Sequence, residues 1–387
     1  MTARVLILTA GFGEGHNAAA RALAAAVDRA AGPGAGFIVD AFALAAPRFN
    51  HAARKFYLRL INDAPHVWSR IYAWIDRSHF VQRRLWLFRR EIRVLAEVIA
   101  EQRPTAICCT YPLYAFFLEE IARRGGARVP TFNIVTDSIS IHSLWWRAHC
   151  DRWFLPNEDS AAVLRCAGIA ERALQVSGFP VPSFFAEQAS RLSPPDLAEG
   201  HVPRVLHIIN SGTRHAEETA RRLLIETDWE VTCAVGRDVA MRDHLLQIAR
   251  SRTRRAEILG WTDQIPRLLM THHAVVSKAG GATTQEAIAA LCPMVVSQVV
   301  PGQEEGNYEL LRRHRAGALA ENPAKVLETL QAAFDDRGRV WREWRAALRP
   351  LARPDAADQI ARYVLAFGPT APARSNRAPV TPALPVA

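Results

Sequence analysis

The sequence has no long hydrophobic run. Its uncharged stretch from Pro104 to Leu118 is interrupted by proline and falls short of the roughly 18 apolar residues that a bilayer-spanning helix needs. A membrane-crossing protein is therefore not expected. A secretory leader is not expected either, because the apolar residues Val5 to Leu8 break at once into Gly11, Gly13, Glu14 and Gly15, as a first buried strand and its loop would. Cysteine is sparse: Cys108, Cys109, Cys150, Cys166, Cys233 and Cys292 form no C-x-x-C and have no histidine at metal-ligand spacing. Neither a zinc site nor a disulfide framework is suggested, and a reducing cytoplasm fits. There is no internal repeat, and a chain that is 49% hydrophobic and 22% charged is not disordered as a whole.

What is present is enough chain for two cores. At one domain per 100 to 200 residues, 387 residues give a prior of about two domains. Lys and Arg outnumber Asp and Glu by 48 to 38, a net charge of +10, which favours an anionic partner: a membrane surface, a nucleic acid or a phosphorylated ligand.

Short β-branched runs alternate with alanine- and arginine-rich helical stretches. The expected strands are Arg4–Thr9, Phe37–Asp40, Ala106–Thr110, Thr131–Thr136 and Trp153–Leu155, then Val205–Asn210, Glu230–Val235, Glu257–Leu259, Ala274–Ser277 and Met294–Ser297. This alternation indicates an α/β protein with parallel, doubly wound sheets. A polar stretch containing Ser193-Pro194-Pro195-Asp196 separates the two groups, giving a domain over 1–188, a linker over 189–203 and a second domain over 204–348. A terminal helical segment is expected over 349–367, and a disordered Pro-, Ala- and Ser-rich tail over 368–387.

Two glycine-bearing strand-to-helix junctions carry the chemistry. The first, Val5 to Leu23, has Gly11, Gly13 and Gly15 ahead of His16. The spacing G-x-G-x-G misses the dinucleotide fingerprint, although Asp40 at the end of the next strand could mimic a ribose-binding acid of a nicotinamide enzyme. His16 at a helix start beside a ligand cleft suits a general base; its bland reading is a helix cap beside a tight turn. The second junction runs from Ala274 through Lys278, Gly280 and Gly281 to Glu286, where Thr283 and Glu286 also fit a T-x-x-E capping box. It is followed by Pro301 to Asn307, a polar loop with Gln303, Glu304, Glu305 and Asn307, whose side chains can bond several hydroxyls at once.

Together these segments resemble the monogalactosyldiacylglycerol synthase and processive diacylglycerol glucosyltransferase family. Gly13 to Ala20 resembles the family's G-G-G-H-R-A-S-A, and Val135-Thr136-Asp137 with His142 and Trp145 resembles V-T-D-x-x-x-x-H-x-x-W. Ser177 to Val181 resembles T-G-I-P-V, Ser277 to Glu286 resembles T-K-A-G-P-G-T-I-A-E, and Pro301 to Asn307 nearly repeats P-G-Q-E-A-G-N. The likeness runs from about Val5 to Arg315. It departs at Asn210-Ser211-Gly212-Thr213, where the family tends to have a glycine-rich loop, and at Gly281-Ala282, where it has Pro-Gly.

The resemblance implies a GT-B glycosyltransferase, two Rossmann-like domains facing a cleft, using a UDP-hexose as donor and no metal or other cofactor. By likeness, Gly212, Arg237, Lys278, Gly280, Gly281, Thr283, Glu286, Gln303 and Glu304 form the donor site, with Trp261 either near the base or packed in the core. His16 is the expected base and Asp137 the second candidate, or a residue orienting His16; a strand-end structural role is the alternative for Asp137. Gly13, Gly15, His142 and Trp145 fall on the acceptor side.

From Val67 to Arg93 the chain interleaves Trp68, Ile71, Tyr72 and Ile75 at helical spacing with arginines, among them Arg83, Arg84, Arg89 and Arg90. Such a segment suits an anionic membrane surface holding diacylglycerol, although an ordinary amphipathic helix reads the same way. No nucleic-acid motif accompanies the charge. The expectation is an inverting transferase, peripheral on the cytoplasmic face of the membrane. Another lipid-linked acceptor, a UDP-sugar epimerase of the same fold and a non-catalytic sensor are the alternatives.

Overall fold

The computed structural model of the protein describes residues 3–210, 213–302 and 304–367. The described residues form two compact units, one made of residues 3–180 and 356–367 and the other of those between 181 and 355.

In the first unit, strands β1 (Val5–Leu8), β2 (Gly36–Val39), β3 (Ala106–Cys109), β4 (Thr131–Ile134), β5 (Arg152–Leu155) and β6 (Leu174–Val176) form a parallel sheet in the order β2-β1-β3-β4-β5-β6. Val5 to Leu8 and Ala106 to Cys109 are buried throughout, the continuous apolar run expected of strands covered on both faces. In the second unit, β7 (Arg204–Ile208), β8 (Glu230–Ala234), β9 (Ala256–Leu259), β10 (Ala274–Lys278), β11 (Met294–Gln298) and β12 (Gly317–Leu319) are ordered β12-β11-β10-β7-β8-β9. Each sheet reverses its strand order once, between β1 and β3 and between β7 and β10. A crevice opens at the carboxyl ends of the strands at such a point, and open α/β sheets bind ligands there.

All ten expected strands are present, and the structure adds the short edge strands β6 and β12. The expected division of the chain is corrected at two places. The first unit ends at 180, and the stretch expected as a linker is part of the second unit. Leu197 is buried in that unit's core, Pro195 offers its carbonyl to the His273 ring at 2.8 Å, and Arg345 bonds the Ser193 hydroxyl at 2.8 Å. The terminal helix Ala356–Ala366 is no separate segment. Its Ile360, Ala361 and Val364 pack with Val5, Leu23 and Phe132 of the first unit, and Asp358 pairs with Arg29 at 2.7 Å. The expected tail over 368–387 lies outside the described residues.

Between β2 and β3 the first unit carries a helical insertion, with helices Ala41–Ala45, Pro47–Asp63, Pro65–Arg77, Phe80–Arg83 and Arg89–Gln102. Pro47 and Pro65 open two of them, at the position where the missing N–H costs nothing. Asp40 caps the first, accepting from Ala43 N at 2.9 Å and from Gly11 N at 3.1 Å. Its carboxylate is thus committed to the backbone, and the ribose-binding reading of Asp40 loses its ground.

Candidate active site

The first unit places His16 at the edge of its switch point. The helix after β1 begins at Glu14, earlier than the glycine spacing suggests, with Gly13 as its N-cap, so Gly15 and His16 lie in its first turn. A Cβ at Gly13 would stand 3.3 Å from the His16 ring, so glycine lets the imidazole lie against the loop. His16 Nδ1 and the Thr136 hydroxyl are 2.9 Å apart. The surrounding protein desolvates the ring and pulls its pKa to about 4, against the opposing hydrogen bond to the Thr110 backbone. The imidazole is therefore neutral near pH 7 and able to accept a proton.

Asp137 follows Thr136 at the end of β4. It does not bond His16, which corrects the expectation that it orients the imidazole; Thr136 does so. Instead Asp137 Oδ2 accepts from Trp145 Nε1 at 2.7 Å, and the Trp145 ring lies 6.4 Å from that of His16. Burial lifts the Asp137 carboxyl to about 6, although the bonds from Trp145 and the His142 backbone pull the other way.

His142 and Trp145 are buried in the wall behind the site. His142 caps the short helix Ser143–Trp145 by accepting from Leu144 N at 3.2 Å, and the Trp145 carbonyl accepts from Asn133 and Trp153. Neither is a surface residue of the acceptor side. Ahead of them runs a chain of rings that the sequence reading only partly anticipated. His16 stands edge-on to Tyr111 at 5.1 Å, Phe12 to Tyr57 at 6.0 Å, Tyr57 to Trp68 at 5.0 Å and Tyr72 to His142 at 4.6 Å. Trp68 belongs to this wall, and its buried Nε1 finds no hydrogen-bond partner among the described residues. Tyr57 and Tyr111 come from elements far apart in the chain and carried no motif of their own.

The insertion also turns apolar groups outward. Eight of the twelve large apolar side chains exposed among the described residues lie on it: Leu44, Phe49, Phe56, Val67, Ile71, Trp74, Trp86 and Leu87. In helix Pro65–Arg77, Trp68, Tyr72 and Ile75 face inward, while Val67, Ile71 and Trp74 form a second stripe facing out. Arg83, Arg84, Arg89 and Arg90 are exposed and form no ion pair among the described residues. No helix among the described residues is long and apolar enough to cross a membrane.

In the second unit the expected donor residues gather at the carboxyl ends of β7, β10 and β11. Lys278 ends β10, and its ammonium pairs with Glu304 Oε1 at 2.7 Å; the other Glu304 oxygen accepts from Val300 N at 3.1 Å. Gly280 caps helix Gly281–Ala289, and a Cβ there would stand 3.8 Å from the Lys278 chain and 3.9 Å from Glu304. This helix starts two residues before the expected start at Thr283, so Thr283 and Glu286 are inside it and the capping box does not form. Asn307 holds the junction by donating to the Ala279 carbonyl at 2.9 Å. Asn210 bonds Ser277 at 3.1 Å and Gln298 accepts from Arg214 N at 2.8 Å, two contacts that no motif announced. Arg237 and Trp261 lie exposed in the loops after β8 and β9, Trp261 being 70% exposed rather than packed in the core. Gly212 and Gln303 lie outside the described residues. Among the described residues no group of three or more His, Cys, Asp or Glu is placed to hold a metal ion.

Two Rossmann-like units, each with polar loops at its switch point, define the GT-B class of glycosyltransferase fold. The comparisons agree. Residues 16–181 match the family model described as monogalactosyldiacylglycerol synthase. A processive diacylglycerol β-glucosyltransferase of Bacillus cereus is 23% identical over 98% of this chain and 97% of its own length. Among solved structures, Staphylococcus aureus MnaA with UDP superimposes with a TM-score of 0.59 at 13% identity, covering 94% of this chain and 96% of its own. MurG of Acinetobacter baumannii does so with a TM-score of 0.60 at 12% identity, covering 94% and 100%. In sequence the chain is similar to monogalactosyldiacylglycerol synthase over residues 16–181 and to processive diacylglycerol β-glucosyltransferases over nearly its whole length, and its fold is GT-B.

Proposed function

We propose that the protein transfers a hexose from a UDP-sugar to the free hydroxyl of diacylglycerol, with inversion at the anomeric carbon, while held peripherally on the cytoplasmic face of an anionic membrane. The observation that carries the lipid acceptor is the insertion in the first unit, where eight exposed apolar side chains accompany four exposed arginines that form no ion pair among the described residues. A soluble acceptor would need no such surface. An interfacial one gains from both terms, apolar burial and attraction to anionic lipid.

In this reading the Thr136 hydroxyl at Nδ1 and the Thr110 backbone hold the imidazole, which as a neutral ring takes the proton of the acceptor hydroxyl. The acceptor oxygen forms its bond to the anomeric carbon as the bond to the diphosphate breaks on the opposite side, and UDP leaves. Lys278 and the N–H groups that open helix Gly281–Ala289 offset the charge that develops on the diphosphate, a task for which no metal is required. Thr283 and Glu286 on that helix, with Gln303 and Glu304, serve ribose and sugar hydroxyls, and Arg237 flanks the nucleotide.

The test is to give the purified protein diacylglycerol in anionic vesicles and, in separate reactions, UDP-glucose, UDP-galactose, UDP-glucuronic acid and UDP-GlcNAc. UDP release accompanied by a new glycolipid establishes the reaction and names the sugar. UDP binding with no lipid-dependent release rejects the acceptor and favours an epimerase, which acts on the donor alone, or a sensor.

A further inference from the structure

The second unit has a polar cavity of about 240 Å³ at the amino ends of β7, β8 and β9, the end of the sheet opposite the loops that carry Asn210 and Lys278. It is lined by Arg204, Arg255 and Arg267 together with Glu230 and Glu257, and His272 lies at its floor between the Leu268 carbonyl at 2.7 Å and the Thr232 hydroxyl at 2.9 Å.

The cavity exists because the sheet changes character there. Laterally paired residues on one face run Met294, Val275, Leu206, Thr232 and Glu257, apolar over β11, β10 and β7 and polar over β8 and β9. Parallel strands covered on both faces are ordinarily apolar on both. Over the polar part of the row the cover is the short helix Ile265–Thr271, whose Arg267, Leu268 and Thr271 line the opposite wall.

The charges there do not cancel. Arg204 is held by Glu230 at 3.0 Å, Arg255 meets Glu257 only at 3.8 Å, and Arg267 forms no ion pair among the described residues. Two guanidinium groups on different walls are thus left with donors to offer. Guanidinium forks bind the oxygens of phosphate in parallel pairs, and a tetrahedral oxyanion can accept from both walls at once, where a planar carboxylate presents one edge.

We propose that this cavity is a binding site for a small phosphate-bearing anion, gripped by Arg255 and Arg267 and separate from the donor edge of the same unit. Pyrophosphate is the probe, titrated by calorimetry into the full chain, into Arg255→Gln/Arg267→Gln and into Lys278→Ala. Circular dichroism and melting are used to check that each variant is folded. The expected result is saturable binding that survives Lys278→Ala and weakens at least about tenfold in the double variant, the scale of losing charge-assisted hydrogen bonds. Absence of saturable binding to the wild type overturns the proposal. So does binding in Lys278→Ala that is unchanged when Arg255→Gln and Arg267→Gln are added to it, and binding that Lys278→Ala alone abolishes places the anion at the donor edge instead.

Discussion

Trp145 gives its indole N–H to Asp137 at 2.7 Å and sets its ring 6.4 Å from that of His16, so one buried side chain touches both candidates for proton transfer. Trp145→Phe keeps a ring in place but removes the donor from a carboxylate that burial already holds at about 6. The Asp137 pKa is expected to rise further, because a hydrogen bond to the charged form has been lost. The pH dependence of kcat/KM checks this: an inflection near 6 that moves upward in Trp145→Phe and disappears in Asp137→Asn assigns it to Asp137.

His16→Ala is expected to lower turnover about 100-fold or more, the usual contribution of a positioned base. UDP binding, which involves the other unit, should stay near normal. Near-normal turnover would remove His16 from the role.

Thr136→Val tests what holds the base. The substitution keeps the shape of the side chain and deletes the hydroxyl 2.9 Å from His16 Nδ1. Turnover should fall by roughly tenfold, the value of one hydrogen bond of about 1 kcal/mol or somewhat more. KM for the donor should not change; because a smaller folded fraction would also lower turnover alone, circular dichroism and melting check that the variant is folded.

Exchanging Arg83, Arg84, Arg89 and Arg90 for Gln is expected to weaken binding to anionic vesicles by about 1 kcal/mol for each residue near the surface, and to leave binding to neutral vesicles unchanged. Sedimentation with vesicles of both compositions reads this directly. Equal binding would make the segment an ordinary solvated face.

Acid should destabilise the fold before it reaches ordinary carboxylates. His16, His207, His272 and His273 are each pulled from 6.5 to about 4 by burial. Between those values the unfolded chain binds protons that the folded chain refuses, so stability is complete above about 6.5 and is lost as the pH falls toward 4. Each imidazole contributes a slope of up to about 1.4 kcal/mol per pH unit. Asp137, raised to about 6, has the opposite sign over 3.8 to 6 and offsets part of one of them. Chemical denaturation at a series of pH values measures the net slope; a flat profile would show that these rings are protonated in the fold.

The strands of both sheets were legible because fully buried parallel strands are short apolar runs, and Val5 to Leu8 or Ala274 to Ser277 can be little else. The glycine junctions were legible for a related reason, since strand-to-helix turns at a sheet's carboxyl edge favour glycine, and at Gly13 a Cβ would crowd the His16 ring. What stayed hidden depends on contacts distant in sequence. Tyr57 and Tyr111 gain their meaning only when the insertion folds over β1, and the Lys278–Glu304 pair only when two loops meet. The stretch 189–203 reads as a linker because it is polar and holds prolines, yet Leu197 is buried in the second core and Ser193 and Pro195 bond Arg345 and His273 of the same unit.

The return of helix Ala356–Ala366 to the first unit bears on how the protein is made. The first unit is the first to leave the ribosome and the last to be finished: until the final helix emerges, the face formed by Val5, Leu23 and Phe132 has no cover, and the second unit must be synthesised in the meantime. A fragment ending at residue 180 would therefore expose an apolar surface that helix Ala356–Ala366 conceals, and the order of folding during synthesis is expected to be second unit first.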